Sequence, residues 1–246
     1  MILELDCGNS LIKWRVLSTG ERVAGGSVAD VELLVVVLQE AELQPTVLRL
    51  VSVRADAETR LLIERLQQAG IERVLRAEPA LSLAGVANGY ADHTQLGLDR
   101  WLTAVAGYVD CGKACLVLDL GTAVTVDYVA ADGRHLGGFI APGLQLMRSQ
   151  LKLHTRRIRY QGSEMVPTAH APGDNTRDAV ERGCMQMLQG FVFYLMSEGR
   201  RYLGEDFVVY LTGGDAELVA PLLPEAVFDA DLVFAGLALA CPIKED

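Results

Sequence analysis

The sequence has no basic block. Lys and Arg number 22 against 32 Asp and Glu, for a net charge of −10 and a pI near 4.9. Holding nucleic acid takes clustered Lys or Arg to neutralise phosphates, so no nucleic-acid partner is expected. The single short basic cluster, His154-Thr155-Arg156-Arg157-Ile158-Arg159, reads either as an anion contact or as a solvated loop. The five cysteines (Cys7, Cys111, Cys115, Cys184, Cys241) include no C-x-x-C pair, and the four histidines include no H-E-x-x-H. A zinc site is not expected, and the cysteines read as buried thiols in a reducing compartment. A Walker-type P-loop is also missing. The longest apolar run, near Val233 to Ile243, is about half the length of a membrane span. Met1 leads straight into a strand-like segment with Glu4 and Asp6, so neither a signal peptide nor a membrane partner is expected, and the cytoplasm is the expected location.

What is present is an ordinary globular composition. The 246 residues are 50% hydrophobic and 22% charged, enough for a substantial core in one large domain or two small ones. Ile2 to Asp6, Leu11 to Leu17 and Arg22 to Val28 read as strands whose short connections imply antiparallel neighbours. Asp30 is a candidate N-cap for a helix over Val31 to Leu43, stopped ahead of Pro45. A strand over Val47 to Val53, an amphipathic helix over Ala57 to Ala69 closed by Gly70, and a strand over Ile71 to Leu75 follow. Glu78 to Leu96 is irregular and long enough to be functional or mobile. Gly97 to Trp101 then opens a helix to about Val109. The order repeats: strands over Ala114 to Asp119, Ala123 to Val129 and His135 to Ile140, and a helix over Leu144 to Leu153. A loop with Pro167 and Pro172 leads to a long helix over Thr176 to Glu198, capped by Asn175. A strand over Phe207 to Leu211, a short helix and a closing helix over Asp231 to Ala240 finish the chain. The fold class is α/β, in two halves, 1–111 and 112–246.

The halves echo each other at one spot. Leu5-Asp6-Cys7-Gly8-Asn9 matches Leu118-Asp119-Leu120-Gly121-Thr122: apolar strand, Asp, one residue, Gly, a small polar residue, then another strand. Duplication is the economical explanation. Such a corner exposes backbone N–H groups, and glycine lets a ligand approach them. Asn9, Ser10 and Thr122 add short hydrogen-bonding side chains, a chemistry suited to phosphate oxygens. The aspartates would repel phosphate by roughly 4 kcal/mol at ~4 Å and an effective dielectric of about 20, so they make sense with a cation or a water between. For each turn alone, plain turn chemistry is the competing explanation. A third glycine turn, Leu211-Thr212-Gly213-Gly214-Asp215, ends a strand and opens a helix, where backbone can approach a phosphate or a flat group closely.

Two Asp-x-Gly turns and a late Gly-Gly turn resemble the actin, Hsp70 and sugar-kinase superfamily. The finer pattern resembles the type III pantothenate kinase family. It comprises Asp6-x-Gly8-Asn9-Ser10-x-x-Lys13-Trp14, Gly97-x-Asp99-Arg100, and Asp119-x-Gly121-Thr122-Ala123-x-Thr125-x-Asp127. Gly137-Gly138-x-Ile140-x-Pro142-Gly143, Asn175-Thr176 and Thr212-Gly213-Gly214 then follow in order. Ser10 stands where that family commonly has Thr and keeps the hydroxyl. The loop Asn88-Gly89-Tyr90-Ala91-Asp92-His93-Thr94 lacks a proline expected there.

The resemblance implies a duplicated ribonuclease H-like fold of the actin-like ATPase type. It would have mixed sheets, helices on both faces, and ATP in the cleft between the halves. It implies ATP-dependent phosphorylation of the primary hydroxyl of pantothenate to 4'-phosphopantothenate, the first step towards coenzyme A. By the same resemblance Asp6, Cys7, Gly8, Asn9, Ser10, Leu11, Ile12, Lys13 and Thr122 would hold the ATP phosphates. Tyr90, Gly97, Leu98, Asp99, Arg100 and Thr176 would contact pantothenate. Asp119 would bind a monovalent cation, K⁺ or NH₄⁺, and Mg²⁺ would enter with ATP, held through water by Asp6 or Asp127. Asp99 would be the catalytic carboxylate, a base late in the transfer or an orienting group, favoured as the anion at a helix start. Arg100 is a natural partner for the carboxylate of pantothenate. The plainer alternatives are a helix-start residue for Asp99, a surface ion pair for Arg100 and a cap for Thr176. Trp14 and Trp101 read as core anchors. A homodimer is implied, and Met187, Leu188, Phe191, Val192 and Leu195 of the long helix could be its interface or could be core.

Two other functions compete. A kinase of the same superfamily acting on a sugar or acetate would want several side chains on hydroxyls rather than one arginine for a carboxylate. A nucleotide-binding regulatory protein of the same fold would be expected to lose Asp99 or Asp119, and both are present.

Overall fold

The computed structural model describes residues 1–155 and 171–243. Arg156 to Arg159 of the basic cluster and Pro167 lie outside the described residues. The order of elements is β1 (Ile2–Cys7), β2 (Ile12–Ser18), β3 (Glu21–Val28), α1 (Val31–Glu40), β4 (Val47–Ser52), α2 (Asp56–Gln68), β5 (Arg73–Arg76), β6 (Ser82–Leu83), β7 (Val86–Ala87), α3 (Leu98–Cys111), β8 (Cys115–Leu120), β9 (Ala123–Val129), β10 (His135–Pro142), α4 (Leu144–His154), α5 (Thr176–Leu203), β11 (Val208–Thr212), β12 (Val227–Phe228) and α6 (Leu232–Ala240).

Local chemistry accounts for most of the boundaries. The Asp30 carboxylate accepts from Leu33 N at 2.9 Å and the Asn175 amide oxygen accepts from Asp178 N at 3.0 Å, so both expected caps form. Helix α1 ends at Glu40 rather than Leu43, because Glu42 takes a left-handed conformation with φ 55°. The stretch read as irregular holds the β6–β7 hairpin, whose two turn residues, Ala84 and Gly85, have φ 48° and 89°. That turn twists the strands correctly but has Ala where Asn or Gly would have signalled it.

The described residues form two compact units, each with a five-stranded sheet. The strand orders are β3-β2-β1-β4-β5 and β10-β9-β8-β11-β12. These are the same order with matching directions: β1 is antiparallel to β2 and parallel to β4, and β8 is antiparallel to β9 and parallel to β11. This is the duplicated ribonuclease H-like fold.

In the first unit Leu3, Leu5 and Cys7 of β1 and Ile12, Trp14 and Val16 of β2 turn to the core with period two, meeting Leu34, Leu38, Leu62 and Leu66 of α1 and α2. In the second, Leu116, Leu118 and Leu120 meet Val180, Cys184, Leu188, Val192 and Leu195 along one stripe of α5. Leu188, Val192 and Leu195 are therefore core, Phe191 packs against it, and Met187 is 66% exposed.

The expected halves were continuous, 1–111 and 112–246. The observed units are not: residues 133–135 and 231–246 belong to the first. Helix α6 packs against β1 and β4 and covers a buried ion triad. Glu4, fully buried, is bound by Arg15 at 2.6 Å and Arg49 at 2.9 Å, while Arg15 also lies 4.8 Å above the Phe234 ring of α6. Among the described residues no helix is long and apolar enough to cross a membrane.

Candidate active site

The stretch from Asp6 to Lys13 folds as one hairpin. Asp6 and Cys7 end β1, Gly8 to Leu11 make the turn, and Ile12 and Lys13 start β2, with Asp6 paired to Lys13 and Cys7 to Ile12. Directly paired residues share a face, so the aspartate and the lysine stand side by side, half-buried, while Cys7 and Ile12 point into the core. Burial pushes the Cys7 thiol up to about 12, helped by the Asp6 charge. Cys7 and Ile12 can therefore offer a ligand only their backbone. Asn9, Ser10 and Leu11 are exposed at the turn. Arg54, which sequence reasoning passed over, reaches the same turn: its Nε donates to the Gly8 carbonyl at 2.7 Å.

A second group gathers where the loop before α3 meets the start of that helix. Gly97 leaves room that a side chain would fill: a Cβ there would lie 2.7 Å from Asp99 Oδ1. That oxygen also accepts from Arg100 N at 2.8 Å, which fixes the carboxylate at the helix start. Leu98 is core, so only its backbone could meet a ligand. Arg100 is 6% exposed, which removes the surface ion pair as its explanation. It donates from Nη1 to the Tyr90 hydroxyl at 3.0 Å, with its guanidinium 5.9 Å from the centre of the Tyr90 ring. Tyr90 in turn stacks on His135, centroids 6.1 Å apart, and Trp101 meets the same imidazole edge-on at 6.5 Å. Gly89 sits where a Cβ would be 1.8 Å from the His135 carbonyl oxygen, so glycine is required for this close approach. His135, buried at 2%, had been read only as the start of a strand. Trp14 and Trp101 are buried, as core anchors should be.

The remaining expected residues lie in the second unit. Asp119, next to last in β8, stands beside Thr125 of β9 and Thr212 of β11. Three glycine turns converge there. Gly143 N donates to the Thr122 carbonyl at 3.0 Å, and a Cβ on Gly143 would be 2.1 Å from the Gly121 carbonyl oxygen. Asp215 N donates to the Leu120 carbonyl at 2.9 Å. Gly213, with φ 92°, faces Asp119 Oδ1 and the Leu120 carbonyl so closely that a Cβ would sit 2.4 Å from each. The Asp119 carboxylate and the Gly121, Thr122 and Leu120 carbonyls thus lie close to these glycines, and oxygen is the donor type that alkali and magnesium ions prefer. Among the described residues no three His, Cys, Asp or Glu side chains cluster tightly enough to hold a metal. Asp127 is 2% exposed, which leaves Asp6 the more accessible of the two carboxylates considered for Mg²⁺. Burial also raises the Asp215 carboxyl, against the opposing pull of Arg148, which forms a buried ion pair with Glu181. Thr176 is the exposed first residue of α5, next to its Asn175 cap.

Known proteins resemble the chain at two levels. Among solved structures, a Campylobacter jejuni protein assigned to the Baf family of transcriptional activators aligns over 97% of this chain and 96% of its own, with a TM-score of 0.60 and 21% identity. The ADPNP-bound activator of 2-hydroxyisocaproyl-CoA dehydratase from Clostridium difficile covers 98% and 93%, with a TM-score of 0.52 and 12% identity. Identities this low establish the fold alone. In sequence, type III pantothenate kinases of Pseudomonas fluorescens Pf0-1 and Pseudomonas paraeruginosa PA7 are 54% and 56% identical to it, each over 99% of this chain and 100% of the relative. The family model for type III pantothenate kinase matches residues 2–198. With relatives more than half identical from end to end, the chain belongs to the type III pantothenate kinase family.

Proposed function

We infer that the protein transfers the terminal phosphoryl group of ATP to the primary hydroxyl of pantothenate, giving 4'-phosphopantothenate in the first step of coenzyme A synthesis. Membership of the family carries this reading. The observation in the chain that best supports it is Arg100. A buried guanidinium, held by a tyrosine hydroxyl and next in sequence to a carboxylate at a helix start, is suited to a small acid that also bears a hydroxyl.

The roles follow from the chemistry each residue can do. Asp99 orients the attacking hydroxyl and takes its proton late in the transfer. Arg100, with Tyr90, Gly97, Leu98 and Thr176, binds pantothenate. The turn from Asp6 to Lys13 and Thr122 hold the ATP phosphates, Cys7 and Ile12 by fixing the two ends of the turn. Mg²⁺ would enter with ATP, held through water by Asp6 or Asp127, and would supply shielding of the phosphate charge. Asp119, with neighbouring carbonyls, takes K⁺ or NH₄⁺. The enzyme acts as a homodimer in the cytoplasm. The exposed apolar side chains Met187, Phe193 and Tyr194 of α5 support self-association, and five free thiols fit a reducing compartment.

The deciding experiment is ATP turnover against pantothenate, acetate and a sugar panel, in potassium or in sodium. Pantothenate-dependent ADP release that needs potassium is expected. Absence of such release in potassium would sink the reading.

A further inference from the structure

We propose that Arg54 is a phosphate-binding residue, a second cation of the Gly8–Leu11 turn alongside Lys13. The proposal rests on the kinase reading only in taking this turn as the nucleotide's.

The sheet order places β1 between β2 and β4. Lys13 flanks the end of β1 from the β2 side, as the partner of Asp6. Arg54 flanks it from the β4 side, two residues beyond Ser52, the partner of Cys7. It is anchored three ways. Val53 N donates to the Cys7 carbonyl at 3.2 Å. Arg54 N donates to Ser52 Oγ at 3.2 Å, and that hydroxyl is itself 2.7 Å from Thr59 Oγ1 of α2. The Arg54 Nε donates to the Gly8 carbonyl at 2.7 Å.

Only one of the five guanidinium N–H donors is thereby used. Arg15, Arg22, Arg49, Arg65 and Arg76 of the same unit each pair with a carboxylate. Among the described residues no carboxylate pairs with Arg54, although the chain has 32 acidic residues. A half-buried fork, fixed at its neck beside a turn of backbone donors and with its two terminal nitrogens available, matches the geometry of a phosphate group. Coulomb attraction to a fixed cation grows with the charge of the phosphate chain, so the effect should be greatest on a triphosphate and least on a monophosphate.

The test is a binding ladder. ATP, ADP and AMP are titrated calorimetrically into the full chain with Mg²⁺, for the wild type, Arg54→Ala and Arg54→Lys. ATP affinity is expected to fall on the order of tenfold or more in Arg54→Ala, ADP affinity less, and AMP affinity by under about twofold. KM for pantothenate should hold, and Arg54→Lys should fall between. An arginine that merely braces the turn would weaken all three nucleotides alike or leave ATP unchanged, and either result overturns the proposal. Should Arg54→Ala not fold, the same ladder on Arg54→Lys decides. A wild-type chain that binds the three nucleotides and loses ATP selectively in the variants, yet phosphorylates no pantothenate, would overturn the kinase reading and leave Arg54 in place.

Discussion

The two units share one strand order and differ at nearly every position that carries charge. On the central strand of the first, Glu4 is flanked by Arg15 and Arg49. At the matching positions of the second stand Val117, Asp127 and Tyr210. One turn further, Asp6 has Lys13 opposite it, whereas Asp119 has Thr125. The first unit thus brings cations to its turn, through Lys13 and Arg54. The second brings an aspartate, a hydroxyl and backbone oxygens around a glycine. On the proposed reading, duplication supplied two equivalent corners, and substitution made one fit for anions and the other for a cation.

The largest expected effect separates two aspartates, each at the start of the helix that follows its sheet. Asp99 lies in the first turn of α3, the first α-helix after β5 in the chain, and Asp231 is the N-cap of α6, the helix after β12. Asp231 is held by Arg15 and Arg22 at 3.2 and 2.9 Å, whereas Asp99 Oδ1 sits beside a glycine and accepts from its own helix. Asp99→Asn should lower kcat by ~10²–10⁴-fold, with KM for ATP little changed. Asp231→Asn should leave kcat alone and cost about 0.5–1 kcal/mol of stability. Equal kcat in Asp99→Asn and wild type would end the role given to Asp99.

Next comes the ion triad. Glu4→Val gives the first unit the residue that the second carries, but takes the carboxylate from buried Arg49 and leaves Arg15 with Asp231 alone. A loss of about 3–5 kcal/mol in urea unfolding is expected. Replacing all three triad residues by apolar ones of similar volume should recover much of it. If Glu4→Val alone is neutral, the triad is not what ties α6 to the first sheet.

How much of this was legible in the sequence follows from the range of the interactions. The Asp-x-Gly corners, the caps at Asp30 and Asn175 and the alternation of β2 are local, and the residues alone pointed to them. Arg54 lies 46 residues from the Gly8 carbonyl it holds, and only the parallel pairing of β1 with β4 brings them together. His135 matters because residues 133–135 join the first unit and meet the Tyr90 loop. Nothing in its own neighbourhood signals that. The return of α6 has the same cause: its partners on β1 and β4 are almost the whole chain away. The inward side chains of Cys7 and Ile12 were implicit in strand alternation.

Glycine substitutions probe the two corners more gently. Gly213→Ala forces a Cβ into Asp119 and Leu120 at a positive φ, and strain of about 1–3 kcal/mol is expected, together with weaker potassium activation. Gly8→Ala meets only the Leu11 carbonyl at 3.3 Å and should cost under about 1 kcal/mol. Melting temperatures of both variants with and without potassium would show the contrast. A potassium response unchanged in Gly213→Ala would argue against a cation at Asp119.

The smallest expected effect is also the most direct exchange of the two corners. Lys13→Thr places in the first unit what stands opposite Asp119, and Thr125→Lys does the reverse. Loss of Lys13 removes one ionic contact to phosphate, so KM for ATP should rise about tenfold while KM for pantothenate stays put. Thr125→Lys sets an ammonium on the same face as Asp119, where the proposed cation binds. A tethered ammonium is chemically close to NH₄⁺, so the variant should turn over in sodium nearly as fast as the wild type does in potassium. Steady-state rates in the two salts measure this. A Thr125→Lys enzyme that still needs potassium would mean that Asp119 is not the site at which the cation acts, and that the second corner, like the first, serves the nucleotide alone.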